Sequence, residues 1–355
     1  MKIVGFSVGK LSAPLNQPFR TALGSHAALE NLRLTLQLQD GTMGFGEAAI
    51  ATHITGETLE QTEKNLRGVG EGLIGRRVDH YGKISVSLHE RLATNKTALA
   101  AVEGALLDLF TRYRKIPLWR LFGSTCQRLT TDITIVIADL AETRAAVKKF
   151  YRQGFRTFKV KIGQNEELDF ERVLLVKKVA PRCRIYLDAN QGLTADQTLR
   201  FLKRLDEAGI RPDLLEQPVP REDWEGLKKV NRLSAVPVCA DESVRSLSEA
   251  LRAIREKAVR VINIKLAKTG LLESRQIAQK ADAAGIKLMM GGMLESSLAM
   301  TTAAHFAAGM GYFDYIDLDT PFFIRSGFDA NPFLSSKGTY DLRRVKAGVG
   351  IPETG

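Results

Sequence analysis

The chain has 355 residues, 44% hydrophobic and 26% charged, the composition of a globular protein with a large core. Its formal net charge is +11, yet the basic residues are scattered through stretches such as "LKRLDEA" and "LKKVNRL" and mixed with acids, so nucleic-acid binding is not expected. No window approaches the roughly 20 apolar residues of a membrane helix. The start "MKIVGFSVGKLSAPL" has no continuous apolar run of a secretion signal, and Cys126, Cys183 and Cys239 stand far apart, so a cytoplasmic protein with reduced packing cysteines is expected.

The first 50 residues read as strands. In "ENLRLTLQLQDGTMGFGEA", Leu32, Leu34, Leu36 and Leu38 alternate with polar partners before a turn at Asp40-Gly41, which predicts an antiparallel hairpin. Helical spacing follows from "TGETLEQTEKNLRG", with Thr58 placed as a cap, to "ALAAVEGALLDLFTRY". Residues 1–123 are therefore expected to form an α+β capping unit.

After Gly123 the pattern changes. The β-rich runs "DITIVIA", "TFKVKIG", "RIYLDAN", "PDLLEQP", "VPVCADE", "RVINIKLA", "IKLMMGG" and "FDYIDLD" alternate with amphipathic helical stretches. Such alternation predicts parallel strands with helical crossovers, and eight in succession predict a closed barrel over 124–322.

Charged residues recur with the period of these units. Lys161, Asp188, Glu216, Asp241 and Lys265 follow one another at 27, 28, 25 and 24 residues. At the carboxyl ends of successive barrel strands they would meet at one mouth, where barrel enzymes keep their active sites. Asp188, Glu216 and Asp241 offer hard oxygen ligands with no His or Cys beside them, which suits Mg2+ and disfavours zinc. Lys161 and Lys265 flank the acids from strands on opposite sides, so each can approach a ligand from its own face. Opposed bases are what a racemisation or epimerisation needs, one removing a proton next to a carboxylate and the other returning it. In "TFKVKIG", Lys159 shares the face of Lys161; an isolated K-x-K reads as a solvated surface, whereas this one belongs to the charged register.

A capping unit followed by "KVK", "DAN", "EQP", "ADES" and "INIK" in order resembles the muconate-lactonising subgroup of the enolase superfamily. The resemblance covers essentially the whole chain. It implies an α/β fold with a (β/α)7β modified TIM barrel, an N-terminal α+β cap, and a segment 323–355 packing back on the cap. It further implies one Mg2+ per subunit on Asp188, Glu216 and Asp241, acid/base roles for Lys161 and Lys265, and an enediolate neutralised with help from Lys159.

Within the subgroup, "YIDLDTP" resembles the D-x-D of dipeptide epimerases, in which Asp317 and Asp319 receive the α-ammonium of a dipeptide. By the same resemblance Thr134 in "TTDIT" and Gly292, Met293, Leu294 and Glu295 in "GGMLESS" would border the substrate, while His305 reads as a structural helix residue. Epimerases of Ala-Glu carry an arginine in the lid loop where this chain has Gly24, in "TALGSHAAL". Gly24 and His26 are the specificity candidates there, with Arg20 a substitute cation. The expected activity is Mg2+-dependent epimerisation of a dipeptide at its C-terminal α-carbon, with an uncharged or hydrophobic C-terminal residue preferred over Glu. The alternatives are an N-acylamino-acid racemase or an o-succinylbenzoate synthase. The expected partner is a small-molecule dipeptide, with no nucleic acid and no membrane, and a homo-oligomer is compatible with the sequence.

Overall fold

An antiparallel sheet of β1 (Ile3–Thr21), β2 (Gly24–Leu38) and β3 (Met43–Ala48) opens the fold. The computed structural model describes residues 1–22, 24–327 and 329–352. Leu32, Leu34, Leu36 and Leu38 fall on one face of β2 and are fully buried, as their alternation requires. The turn to β3 closes with the Leu38 N–H donating to Thr42 O at 2.9 Å, and Gly41 supplies its positive φ of 84°. After the sheet come α1 (Thr52–Thr55), α2 (Leu59–Leu73), α3 (Tyr81–Arg91) and α4 (Lys96–Tyr113), of which α2 and α4 pack on the sheet and α3 packs on α4. Thr58 caps α2 by accepting the Gln61 N–H at 3.2 Å. Gly46 lets β3 touch α4, since a Cβ there would run into the Ala101 carbonyl.

The short β4 (Leu129–Thr130) leads into eight strands. They are β5 (Ile133–Ile135), β6 (Thr157–Lys161), β7 (Arg184–Asp188), β8 (Leu214–Glu216), β9 (Val238–Ala240), β10 (Val261–Ile264), β11 (Lys287–Met290) and β12 (Tyr315–Ile316). Each pairs in parallel with the next in sequence order. The ends of this curled sheet meet at a seam, where the Asp132 N–H donates to Ile316 O at 3.0 Å and the Leu318 N–H to Thr131 Oγ1 at 2.7 Å. Seven helices return the chain between strands: α5 (Leu140–Gln153), α6 (Glu166–Val179), α7 (Ala195–Glu207), α8 (Trp224–Leu233), α9 (Leu247–Arg255), α10 (Leu266–Ala283) and α11 (Ser297–Met310). The fold is thus the expected (β/α)7β barrel with an α+β cap. No described helix is long and apolar enough to cross a membrane.

Buried acids of the cap hold barrel helices by their N-termini, where unpaired N–H groups and the helix dipole favour a carboxylate. Glu47 on β3 accepts the Ser296 N–H at 2.9 Å and the Ala299 N–H at 3.3 Å at the start of α11. Glu103 on α4 accepts the Leu271 and Leu272 N–H groups at 2.5 and 3.2 Å, where α10 kinks at Gly270. The last segment returns to the cap and to the start of the barrel: β13 (Thr339–Tyr340) pairs with β4, and the Val349 N–H donates to Asp108 Oδ1 at 2.7 Å. His305 lies buried on α11, accepting the Trp119 N–H at Nδ1 (3.1 Å) and facing Val349 O with Nε2 (3.0 Å), which confirms its structural reading.

The stretch expected as a lid loop is instead the end of a long hairpin. Phe19 pairs with His26, Arg20 with Ser25 and Thr21 with Gly24, after a register shift following Pro14. Leu23 lies outside the described residues.

Candidate active site

Register sets the first row of charge at the barrel mouth. Lys161 on β6 is paired with Asp188 on β7, and Asp188 with Glu216 on β8, so the three side chains stand next to one another. Asp241 follows β9 and Lys265 follows β10. All five are buried, as is Lys159.

The Lys159 ammonium lies 2.6 Å from Asp317 Oδ2, 2.8 Å from Glu216 Oε2 and 3.0 Å from Asp188 Oδ2. Lys161 Nζ donates to Asp188 Oδ2 at 2.6 Å and to Asn190 Oδ1 at 3.0 Å. On the other side Lys265 Nζ is 2.8 Å from Asp241 Oδ2, and Lys268 Nζ donates to Asp241 Oδ1 at 2.7 Å. Lys268 stands three residues beyond Lys265 in the same "IKLAK", off the strand-end period that marks the other charged residues.

Burial alone would discharge these groups, and their mutual attraction overrides it. Lys159 is held well above the usual lysine range because the charges of Asp188, Asp317 and Glu216 outweigh its desolvation. Lys265 is likewise raised, by Asp241 and Glu216 against burial. Asp188 and Asp241 stay below the usual carboxylate range because their lysines outweigh burial. Glu216, buried beside Asp188, is pushed up to about 7.

Asp188, Glu216 and Asp241 come from adjacent strands, are at most 2% exposed and offer only carboxylate oxygen. Glu216 Oε2 receives no hydrogen bond, since the ammonium 2.8 Å away is off the hydrogen-bonding direction. A buried acceptor without a donor, in an all-oxygen set, fits a hard divalent cation such as Mg2+.

Above the lysines is a chamber of about 70 Å³. Lys159, Lys161, Lys265 and Asn190 line one side, Thr134, Asp317 and Asp319 another, and Gly292, Met293 and Leu294 a third. The roof comes from the cap, with Phe19, His26, Ile50, His53 and Ile54. His26 and His53 meet with Nε2 atoms 3.5 Å apart, so the hairpin tip and α1 touch over the chamber. His53 carries no sequence signal of its own; only the fold brings it to His26.

Three expectations need correction. Glu295 does not line the chamber; its carboxylate folds back on its own loop to accept the Met293 N–H at 3.0 Å, and burial pushes it up to about 7. Arg20 faces away from the chamber and pairs with Glu142 on α5 at 3.5 Å, because strand alternation sends it opposite to Phe19. Gly24 is at the hairpin tip, not in the chamber wall, and a Cβ there would meet nothing within 4 Å.

Asp132 is an acid that sequence reasoning missed. It lies two residues before Thr134 and is 1% exposed, and neither of its carboxylate oxygens has a hydrogen-bond partner. Among the described residues, Asp132, Asp317 and Asp319 form an acid group whose oxygens lie within 4.8 Å of one another. Asp319 Oδ2 accepts the Thr134 N–H at 2.6 Å, and burial together with Asp317 pushes this acid up to about 7. Burial, then the charges of Asp317 and Asp319, hold Asp132 well above the usual carboxylate range. The folded chain keeps that proton where the unfolded chain has lost it, so this group makes stability fall as pH rises from about 4 toward its folded pKa. Asp132→Asn keeps the shape without the linked cost. Thermal unfolding should give the variant a higher Tm than wild type at pH 7 and no advantage below about pH 4; a lower Tm at pH 7 contradicts this assignment.

Residues 6–123 match the N-terminal domain of the mandelate racemase/muconate lactonizing enzyme family, and residues 142–352 match its enolase C-terminal domain-like unit. The chain is 47% identical over 349 residues to a hydrophobic dipeptide epimerase of Citrifermentans bemidjiense, covering 96% of this chain and 95% of the relative. It is 38% identical to an aromatic dipeptide epimerase of Herpetosiphon aurantiacus, covering 98% of each. Among solved structures, a dipeptide epimerase of Enterococcus faecalis complexed with Mg and L-Leu-L-Tyr superposes with a TM-score of 0.93 at 31% identity, covering 99% of each chain.

Proposed function

The chain belongs to the mandelate racemase/muconate lactonizing enzyme family, and from that premise we propose that it epimerises a dipeptide at the α-carbon of its C-terminal residue. The observation that carries this reading is the meeting of Lys161, Lys265 and the Asp317–Asp319 pair in one closed chamber. Lysines from β6 and the end of β10 approach it from different sides, each leaning on its own carboxylate, Asp188 or Asp241. Once Asp188, Glu216 and Asp241 share a bound cation, the negative charge that holds Lys265 protonated is offset, and either lysine can take the α-proton from one face while the other returns one to the opposite face. Asp188, Glu216 and Asp241 would hold Mg2+, which supplies Lewis-acid stabilisation of the substrate carboxylate as the α-proton leaves. Lys159 stays charged beside the site and offsets the negative charge of the enediolate. Asp317 and Asp319 take the dipeptide's ammonium, and an N-acylated amino acid has no cation to offer them.

Lys161→Ala and Lys265→Ala are each expected to slow epimerisation about 10²- to 10⁴-fold, the usual worth of a positioned acid or base. Each should still exchange the α-proton of one epimer with solvent. Mass spectrometry of dipeptides incubated in deuterated water with Mg2+ reads both effects. Full epimerisation by either variant, or by enzyme stripped of metal, contradicts the two-base mechanism. A wild-type preference for N-acylated compounds favours the racemase alternative.

The C-terminal side chain meets Phe19, Ile50 and Ile54 of the roof, which also carries His26 and His53, with Met293 and Leu294 on the adjoining wall, and no arginine is among the described residues of the chamber. A hydrophobic side chain there gains about 1.5 to 3 kcal/mol on leaving water, while a glutamate finds no guanidinium to offset the cost of its burial. The names of the C. bemidjiense and H. aurantiacus relatives agree with that choice. The specificity constant for Ala-Leu or Ala-Phe should exceed that for Ala-Glu at least about tenfold, or 1.4 kcal/mol. A wild type that already prefers Ala-Glu contradicts the assignment.

A further inference from the structure

Thr134 lines two cavities. One is the reaction chamber of about 70 Å³, and the other, of about 320 Å³, runs between the outer half of β1 and α5. We infer that this second cavity is the subsite for the side chain of the dipeptide's first residue, and that it selects apolar side chains of leucine, methionine or phenylalanine size. The inference rests on the dipeptide reading above and extends it to a part of the substrate that the lysines never touch.

Connectivity makes the argument. Asp319 accepts the Thr134 N–H at 2.6 Å, so an ammonium held by Asp317 and Asp319 puts the first α-carbon one bond away, beside Thr134. The side chain on that carbon leaves either into the chamber or past Thr134. The chamber already has to hold the C-terminal residue, and its volume leaves no space for a second bulky group. The second cavity is several times larger and begins at the same threonine. Phe19 belongs to the chamber and Phe323 to the second cavity, with ring centroids 5.1 Å apart and planes at 87°.

The wall chemistry sets the ligand class. Val136, Ala146, Phe150 and Phe322 give the cavity an apolar floor. Its charge is at the rim, where Arg20 and Glu142 pair at 3.5 Å with side chains 44% and 58% exposed. The exposed Lys149 is the remaining rim charge among the described lining residues. An apolar side chain is desolvated on the floor without stranding a polar group, whereas a cationic one meets Lys149 with no free acid.

The test is a set of L-Xaa-L-Phe dipeptides, with Ala, Leu, Met, Phe or Lys first, assayed for epimerisation by wild type, Ala146→Trp and Lys149→Glu with Mg2+. Wild type should use the Leu, Met and Phe peptides at least as well as Ala-Phe, and Lys-Phe at least tenfold worse. Ala146→Trp, which fills the floor, should lower the ratio of specificity constants for Leu-Phe over Ala-Phe tenfold or more. Lys149→Glu, a surface change, should raise Lys-Phe relative to Leu-Phe. Leu-Phe to Ala-Phe and Lys-Phe to Leu-Phe ratios that stay at their wild-type values in both variants overturn the subsite while leaving dipeptide epimerisation intact. Failure of every dipeptide to exchange its α-proton overturns the parent reading, and the subsite with it.

Discussion

One buried ammonium ties this structure together. Lys159 is 2% exposed, and carboxylates from three different strands, Asp188, Glu216 and Asp317, lie within 3.0 Å of its nitrogen. A lysine so far from water would lose its proton if unpaired, and three carboxylates so close together could not all stay ionised without it. Each charge is there because the others are. The constraint also crosses the barrel, since Asp317 follows the last strand and Asp188 and Glu216 end the third and fourth. Lys161 on Asp188, and Lys265 and Lys268 on Asp241, extend the same balance outward. Acids that would bind a metal and bases that would move a proton are therefore positioned by one electrostatic network before any substrate arrives.

The cap answers to the same economy of buried charge. Glu47 and Glu103 reach from the cap to barrel helix N-termini, so the strands that carry Phe19 and His26, and the segment after β3 that carries Ile50, are held against the mouth. The His26–His53 contact joins the hairpin tip to α1 over the chamber. Rigid strands hold the chemistry, and the cap shapes what reaches it.

Much of this was legible in the sequence, for a definite reason. In a (β/α) barrel each unit repeats one strand and one helix, so a charged residue at every strand end leaves a period of 24 to 28 residues that no surface pattern needs. Lys161, Asp188, Glu216, Asp241 and Lys265 were readable that way, and each is buried at the mouth. The alternation of "RLTLQL" likewise foretold the buried face of β2. What stayed hidden depends on contacts between segments far apart in the chain. Asp132 looks like any strand-end acid until β5 closes against β12 and sets it beside Asp317 and Asp319. His53 is an unremarkable helix residue until the hairpin tip reaches it. Arg20 and Glu295 were misread because a residue's nearness to a motif does not fix where its side chain points; Arg20 found Glu142, and Glu295 found its own backbone. The domain limits drawn from the sequence at 123 and 322 remain a proposal about folding units.

The structure contains two acid groups within reach of Lys159: Asp188 and Glu216, which with Asp241 make the set proposed for Mg2+, and the compact trio of Asp132, Asp317 and Asp319. Their assignment decides the orientation of substrate in the chamber, carboxylate toward one and ammonium toward the other. Anomalous scattering from crystals grown with Mn2+ and a dipeptide separates the two. A single metal peak bounded by Asp188, Glu216 and Asp241 is expected, with the dipeptide's amino end against Asp317 and Asp319. A metal peak inside the Asp132–Asp317–Asp319 trio would contradict it.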